Sequence, residues 1–206
     1  VDFLLQYGDL FLGKTTVLCK DTPGFIANRI GIFSIMAILE SMEKTGLSVD
    51  DVETLTGPII GHPKSATFRT ADVVGIDTLV HVAKGLFAHC PDDEAREQFR
   101  IPEWLQQMVN NNWLGDKSGQ GFFKKTKTAS GEKEILTLDL KTLEYGPRKK
   151  TKFAAIDAVK PIEDLATRIK TVCTFPDGAG DFYRSFHYSL FAYISNRVPA
   201  ISDSLQ

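Results

Sequence analysis

The chain has 206 residues, 43% of them hydrophobic, enough for one sizeable core or one and a half. A net charge of −2 gives no electrostatic reason to bind nucleic acid, and the longest apolar run, from Ile30 to Leu39, falls short of the roughly 20 residues a membrane span needs. Cys19, Cys90 and Cys173 are odd in number and lack metal-ligand spacing, which points to a reducing cytoplasm.

The first segment, Val1 to about Leu12, has a helical pattern, and Thr15 to Lys20 reads as a strand through Thr16, Val17 and Leu18. There is no initiator methionine or signal peptide, and both ends look cut from a longer protein. The stretch from Lys20 to Gly46 then predicts one long helix. Thr22 is its expected cap, Pro23 suits the first helical position, and Gly46 after Lys44 is its expected stop. Ile26, Ile30, Ile32, Phe33, Ile35, Met36, Ile38, Leu39 and Met42 fall on nearly every side, the mark of a helix packed on more than one face.

Asn28 is out of place in that apolar run. On helical spacing Gly24 and Gly31 share its face, and glycine inside a helix costs roughly 1 kcal/mol against alanine. Either a second helix crosses at the glycines or a ligand approaches the amide.

Ser48 with Asp51 predicts a capped helix to Thr56, followed by a breaker-rich loop from Gly57 to Ser65. Phe68 to Gly75 and Asp77 to Leu86 predict two helices meeting at Gly75, the second stopping before Pro91. His81, His89 and Cys90 lie close together, but no fourth ligand is evident, so no metal site is expected. Pro102 to Asn111 predicts another helix, ended by the glycine-rich turn at 115–121. Phe122 to Thr128 and Glu134 to Leu140 read as a hairpin around Ala129-Ser130-Gly131-Glu132.

Between Lys124 and Lys152 nine lysines and arginines face four acids. Such a run is either a solvated hairpin and linker or an attraction for phosphates. Residues 154–180 read as a connector with a weak helical pattern, closed by Pro176-Asp177-Gly178-Ala179-Gly180. Asp181 is the expected cap of a final helix. Tyr193-Ile194-Ser195-Asn196-Arg197-Val198 echoes Phe25-Ile26-Ala27-Asn28-Arg29-Ile30 at an offset of 168 residues (196 − 28).

Three stretches together carry a resemblance: Lys20-Asp21-Thr22-Pro23-Gly24-Phe25-Ile26-Ala27-Asn28-Arg29-Ile30, Asp72-Val73-Val74-Gly75-Ile76-Asp77-Thr78, and Gly115-Asp116-Lys117-Ser118-Gly119-Gln120-Gly121-Phe122-Phe123. In this order they resemble the C-terminal part of the 3-hydroxyacyl-CoA dehydrogenases of fatty-acid β-oxidation. The resemblance implies a mainly α fold, a helical bundle of the 3-hydroxyacyl-CoA/6-phosphogluconate dehydrogenase C-terminal type with a small β-hairpin. It divides the chain into residues 1–20, the end of a nucleotide-binding domain; 21–125, the helical domain; 126–180, a basic hairpin and connector; and 181–206, the start of a truncated second repeat.

The implied reaction is NAD-dependent oxidation of a 3-hydroxyacyl-CoA to the 3-ketoacyl-CoA. The family's catalytic histidine and glutamate lie on the nucleotide-binding domain, and no candidate pair occurs here. There is also no Gly-x-Gly-x-x-Gly, Gly178-Ala179-Gly180 lacking the third glycine. The chain alone is therefore expected to be inactive, with NAD bound mainly by the missing domain. Asn28 matches the family's substrate-binding asparagine and is its catalytic candidate here. Lys117 matches the lysine that reaches the cofactor. Lys64 stands where many members have Pro-Met-Gly-Pro-Phe and is a candidate for a coenzyme A phosphate. Arg29 is expected to make a structural pair, with Asp21 as candidate. Expected partners are the acyl-CoA, the nucleotide-binding domain and a second copy through the helical domain. A helical interaction module, and the helical domain of another β-hydroxyacid dehydrogenase, stand as alternatives.

Overall fold

A computed structural model describes residues 1–128 and 130–203. The fold is mainly helical with one small antiparallel sheet, as the resemblance implied. Two expectations fall partly outside the described residues: Ala129 of the hairpin turn, and the last three positions of the segment 181–206.

Helix α1 (Asp2–Gln6) runs into a π-helical turn at Tyr7–Phe11, with Phe3, Leu4, Leu10 and Phe11 exposed. The strand expected at Thr15–Lys20 is absent. Among the described residues the segment makes one bridge, Cys19 to Ser202, and a strand needs a ladder to be one.

Helix α2 (Ala27–Thr45) is the spine. It begins later than the spacing predicted, because Gly24 (φ +80°) and Phe25 (φ +50°) are left-handed and end any helix attempted from Pro23. Thr22 caps nothing, and its hydroxyl oxygen is buried without a hydrogen-bond partner. At the other end Gly46 is left-handed, as expected, and its N–H donates to the Glu43 and Met42 carbonyls. Phe33, Met36, Ala37, Ile38 and Leu39 are nearly inaccessible, which bears out a helix covered on several faces.

Helix α3 (Val49–Leu55) carries the predicted capping box: Ser48 Oγ accepts from the Asp51 N–H, and Asp51 accepts from the Ser48 N–H. Helices α4 (Phe68–Val74) and α5 (Ile76–His89) meet at Gly75, and α6 (Glu103–Asn110) follows. Strands β1 (Phe123–Lys127) and β2 (Lys133–Leu138) pair with Phe123 opposite Thr137. A third strand, β3 (Tyr145–Pro147), adds to β2 and was not foreseen, being three residues long. Asp50 pins this sheet to α3, accepting from Thr137 Oγ1 at 2.9 Å and from the Lys149 N–H at 2.7 Å.

The connector forms two short helices, α7 (Ala154–Val159) and α8 (Leu165–Val172). The last helix, α9 (Gly178–Ile201), is capped by Asp177 and not by Asp181. The glycines read as a closing turn are its first residues. A Cβ on Gly180 would lie 1.9 Å from the Phe175 carbonyl oxygen, so the close approach requires glycine there.

Helix α9 lies along α2. The Phe33 and Tyr193 rings stack at 3.8 Å with Phe99 edge-on to both, and the Ser41 and Ser185 hydroxyls bond at 2.9 Å. The end of α9 is tied back to the linker before α2, Lys20 Nζ donating to the Pro199 carbonyl at 2.7 Å. The echoing motifs differ in local structure: Tyr193 lies within α9, whereas Phe25 precedes α2 in a left-handed turn.

Candidate functional site

The first turn of α2 places two adjacent polar residues in opposite environments. Arg29 points inward and is 5% exposed. Its guanidinium pairs with Asp93, Nε at 3.0 Å and Nη2 more closely. It also donates to Tyr193 Oη at 2.7 Å, Cys90 Sγ at 2.8 Å and the Pro23 carbonyl at 3.3 Å. The Tyr193 hydroxyl donates to Asp93 at 2.9 Å. The structural pair expected of Arg29 is present, but its partner is Asp93 and not Asp21. Asp93 follows the α5 stop near Pro91, where sequence spacing could not bring it to α2.

Asn28 points outward and is exposed, as are Ala27 and Gly31. Gly24 lies outside the helix and shares no helical face with it. A Cβ on Gly31 would meet nothing within 4 Å, so no second helix crosses there. The face is open, and on it the Asn28 amide makes no hydrogen bond among the described residues, beside a backbone unobstructed by side chains. The strained turn at Gly24–Phe25 sets the direction in which that amide emerges. Strain of this kind costs on the order of 1 kcal/mol or more and persists only where the surroundings impose it. Here Leu86 of α5 packs against Gly24, where an added Cβ would lie 2.8 Å from it.

Lys117 sits on the glycine-rich turn, exposed, with its ammonium 2.5 Å from Asp77 at the start of α5. That contact holds the Asp77 carboxyl below its ordinary range. A Cβ on Gly75 (φ +103°) would lie 2.9 Å from Lys117 Nζ, so the glycine lets the lysine cross the backbone.

What holds the turn is Asp72, 1% exposed in the last turn of α4. Its carboxylate accepts the N–H groups of Phe122 at 2.8 Å and Phe123 at 3.0 Å. Burial pushes its pKa up to about 6, the two N–H bonds opposing the rise. Cβ atoms on Gly115 and Gly121 would lie 2.2 and 2.1 Å from Asp72 atoms, and Tyr145 Oη donates to the Gly121 carbonyl at 2.6 Å. Two of the three motifs are thus one contact: the acid of the second is buried among the glycines of the third. Composition and periodicity missed Asp72. An acid set between Ala71 and Val73-Val74 was the available signal.

Asn28 and Lys117 do not touch. Gly24 abuts Leu86 near one end of α5, and Lys117 pairs with Asp77 at the other. At 1.5 Å per residue the two lie on the order of 15 Å apart along one helix. Phe25, Val73 and Val74 are apolar side chains more than half exposed in the flanking segments.

Lys64 is exposed, on the loop before α4. It lines a cleft of about 440 Å³ with Glu53, Arg69, Asp116, Phe123, Lys125 and Arg148. A more apolar hollow of about 500 Å³ lies at the far end of α2, near Met42, Leu47, Trp104 and Leu138, about 20 Å from Asn28 along the helix. Among the described residues no group of histidine, cysteine or acidic side chains is arranged to hold a metal ion, and no helix is long and apolar enough to cross a membrane. Cys19, Cys90 and Cys173 are free thiols.

The model of the 3-hydroxyacyl-CoA dehydrogenase C-terminal domain matches residues 24–125. A Bacillus subtilis protein named "Probable 3-hydroxyacyl-CoA dehydrogenase" is 40% identical over 203 residues, covering 98% of this chain and 25% of that one. The human protein named "Hydroxyacyl-coenzyme A dehydrogenase, mitochondrial" is 36% identical over 113 residues, 55% of this chain and 35% of its own. Among solved structures, Mycobacterium tuberculosis FadB2 superposes with a TM-score of 0.51 at 28% identity, over 60% of this chain and 41% of that one. The chain therefore spans about a quarter to two-fifths of the length of these relatives.

Proposed function

Through residues 24–125 the chain belongs to the 3-hydroxyacyl-CoA dehydrogenase C-terminal domain family, and on that premise we propose that it is the substrate-side and oligomerisation part of a longer enzyme. That enzyme oxidises a 3-hydroxyacyl-CoA to the 3-ketoacyl-CoA with NAD, in cytoplasmic fatty-acid β-oxidation. The observation that carries the reading is the open face of α2, where Asn28 is exposed beside Gly31 with nothing across it among the described residues.

On this reading a preceding nucleotide-binding domain docks over the open face and supplies the acid–base pair. The Asn28 amide donates to a substrate oxygen and holds it as charge develops there. Such a donor contributes up to a few kcal/mol once water is excluded, which the docked domain and the apolar rim of Phe25, Val73 and Val74 accomplish. For NAD this chain offers one contact and no cradle: Lys117 is an exposed ammonium on a rigid turn, and no glycine-rich nucleotide fingerprint is present. When bound, the dinucleotide supplies the hydride acceptor. Lys117 exchanges part of its pairing with Asp77 for an anionic oxygen, and Asp72 keeps the turn in place meanwhile. Residues 1–20 end the nucleotide-binding domain, residues 126–180 link the helical domain to the C-terminal segment, and residues 181–206 begin a second repeat. Without the docked domain the chain is inactive.

In the longer protein, Asn28→Ala lowers kcat/KM by at least about tenfold, and Lys117→Ala raises KM for NAD with kcat little changed. Wild-type kinetics from a folded Asn28→Ala enzyme removes the residue from the site. A second reading, a helical association module, is favoured by the open strip of α2 at Asn28 and Gly31. Self-association of the 206-residue chain in sedimentation supports it, and a monomer at high concentration removes it.

A further inference from the structure

The basic run, which in sequence fits either a solvated hairpin or an anion site, is drawn together with a residue from elsewhere in the chain. Lys125 projects from the middle of β1 and Arg148 from just beyond β3. Both line the 440 Å³ cleft that Lys64 enters from the loop before α4 and Arg69 from α4's first turn. Four cations meet two acids there, and both acids are already engaged. Glu53 accepts the N–H groups of Phe68 at 2.8 Å and Arg69 at 2.9 Å, and burial raises its pKa against those bonds. Asp116 takes both ends of the Arg69 fork, at 2.6 and 2.5 Å.

The remaining cations have little to hold. Lys64 and Lys125 make no side-chain hydrogen bond or ion pair among the described residues. Arg148 bonds through Nε to Asp50 at 3.1 Å, with its guanidinium 5.0 Å above the Phe123 ring. Solvated lysines ordinarily spread apart. Here three positive groups converge in a concavity also lined by Phe123 and Ile135, which focuses a positive potential. A phosphate offers the complement, with strong acceptor oxygens and one to two negative charges.

We propose that this cleft is a phosphate subsite that takes the phosphorylated adenosine end of the enzyme's nucleotide-linked ligand, with Lys64, Lys125 and Arg148 as donors. The proposal rests on the proposed function, in which such a ligand exists. Its shared chemistry, an adenosine phosphate, comes either from an acyl-CoA, which carries a 3′-phosphate, or from the dinucleotide, which does not.

The test is calorimetric titration of the 206-residue chain with adenosine 3′,5′-bisphosphate, ADP and inorganic phosphate, at low salt and at about 0.15 M. The expected result is saturable binding that salt weakens. Each of Lys64→Ala and Lys125→Ala weakens it on the order of tenfold, the size of one charge-assisted hydrogen bond. Preference for the bisphosphate assigns the cleft to the acyl-CoA and preference for ADP to the dinucleotide; both uphold the subsite. No saturable binding at about 1 mM, or affinity unchanged in the double variant, overturns it. Both lysines are exposed, so the variants fold. Unchanged phosphate affinity in the lysine double variant, beside a tenfold loss of kcat/KM in Asn28→Ala, overturns the subsite and leaves the activity standing. The reverse pattern upholds the subsite and overturns the role of Asn28.

Discussion

Asn28 and Arg29 share one helical turn and differ in everything else. Arg29 is sealed among Asp93, Tyr193, Cys90 and the Pro23 carbonyl, and through Tyr193 it fastens α9 to α2. Asn28 faces outward over an open strip that Gly31 keeps bare. One face of α2 is satisfied within the chain, and the other is left open among the described residues. A face with no internal partner can change without loss of stability, and a face with four cannot.

Arg29→Met tests the closed face hardest. It strands the buried Asp93 carboxylate, and breaking one side of such a pair costs about 3–5 kcal/mol in urea unfolding. The double variant Arg29→Met/Asp93→Leu recovers most of that loss. A single-variant cost under about 1 kcal/mol would show that the seam is not held there.

Asp72 gives the next largest effect, through pH. Its folded pKa of about 6 stands above the ordinary 3.8, so between those values the folded chain binds a proton that the unfolded chain has released. Stability therefore falls as pH rises through that window and is level above it, by about 3 kcal/mol in all. Asp72→Asn, which keeps one acceptor for the Phe122 N–H, removes this slope from unfolding curves taken at pH 4 to 7. Two substitutions then sharpen the contrast on the open face. Asn28→Ala leaves unfolding within about 0.5 kcal/mol of wild type while costing the longer enzyme about 1.4 kcal/mol of transition-state stabilisation. Gly31→Ala stabilises the chain by about 0.5–1 kcal/mol, having space for its methyl, and lowers activity because the methyl stands where the ligand approaches. A Gly31→Ala enzyme both more stable and fully active would show that nothing comes close to that strip.

Much of the fold could be read from the chain because its signals are local. The Ser48–Asp51 box, Gly46 as stop, Gly75 between α4 and α5, and the hairpin pattern all act within a few residues. What escaped depended on distant partners. Thr15–Lys20 has strand-forming residues but one bridge to make. The start of α2 was misplaced because Phe25, a non-glycine residue, is left-handed after Gly24, which spacing does not reveal. Arg29 could be recognised as structural, while Asp93, 64 positions away, could not be named. Asn28 and Lys117 are proposed for the site through the family motifs. Asp72, which joins two of those motifs physically, needed coordinates.

The central claim is that the open strip of α2 and the turn bearing Lys117 form one wall of a site that a preceding domain completes. Hydrogen–deuterium exchange of the 206-residue chain against the longer protein tests it most directly. Slower exchange confined to residues 24–31, 73–77 and 115–119 in the longer protein is the predicted result. Equal exchange in those segments, with protection appearing on other surfaces, would contradict it.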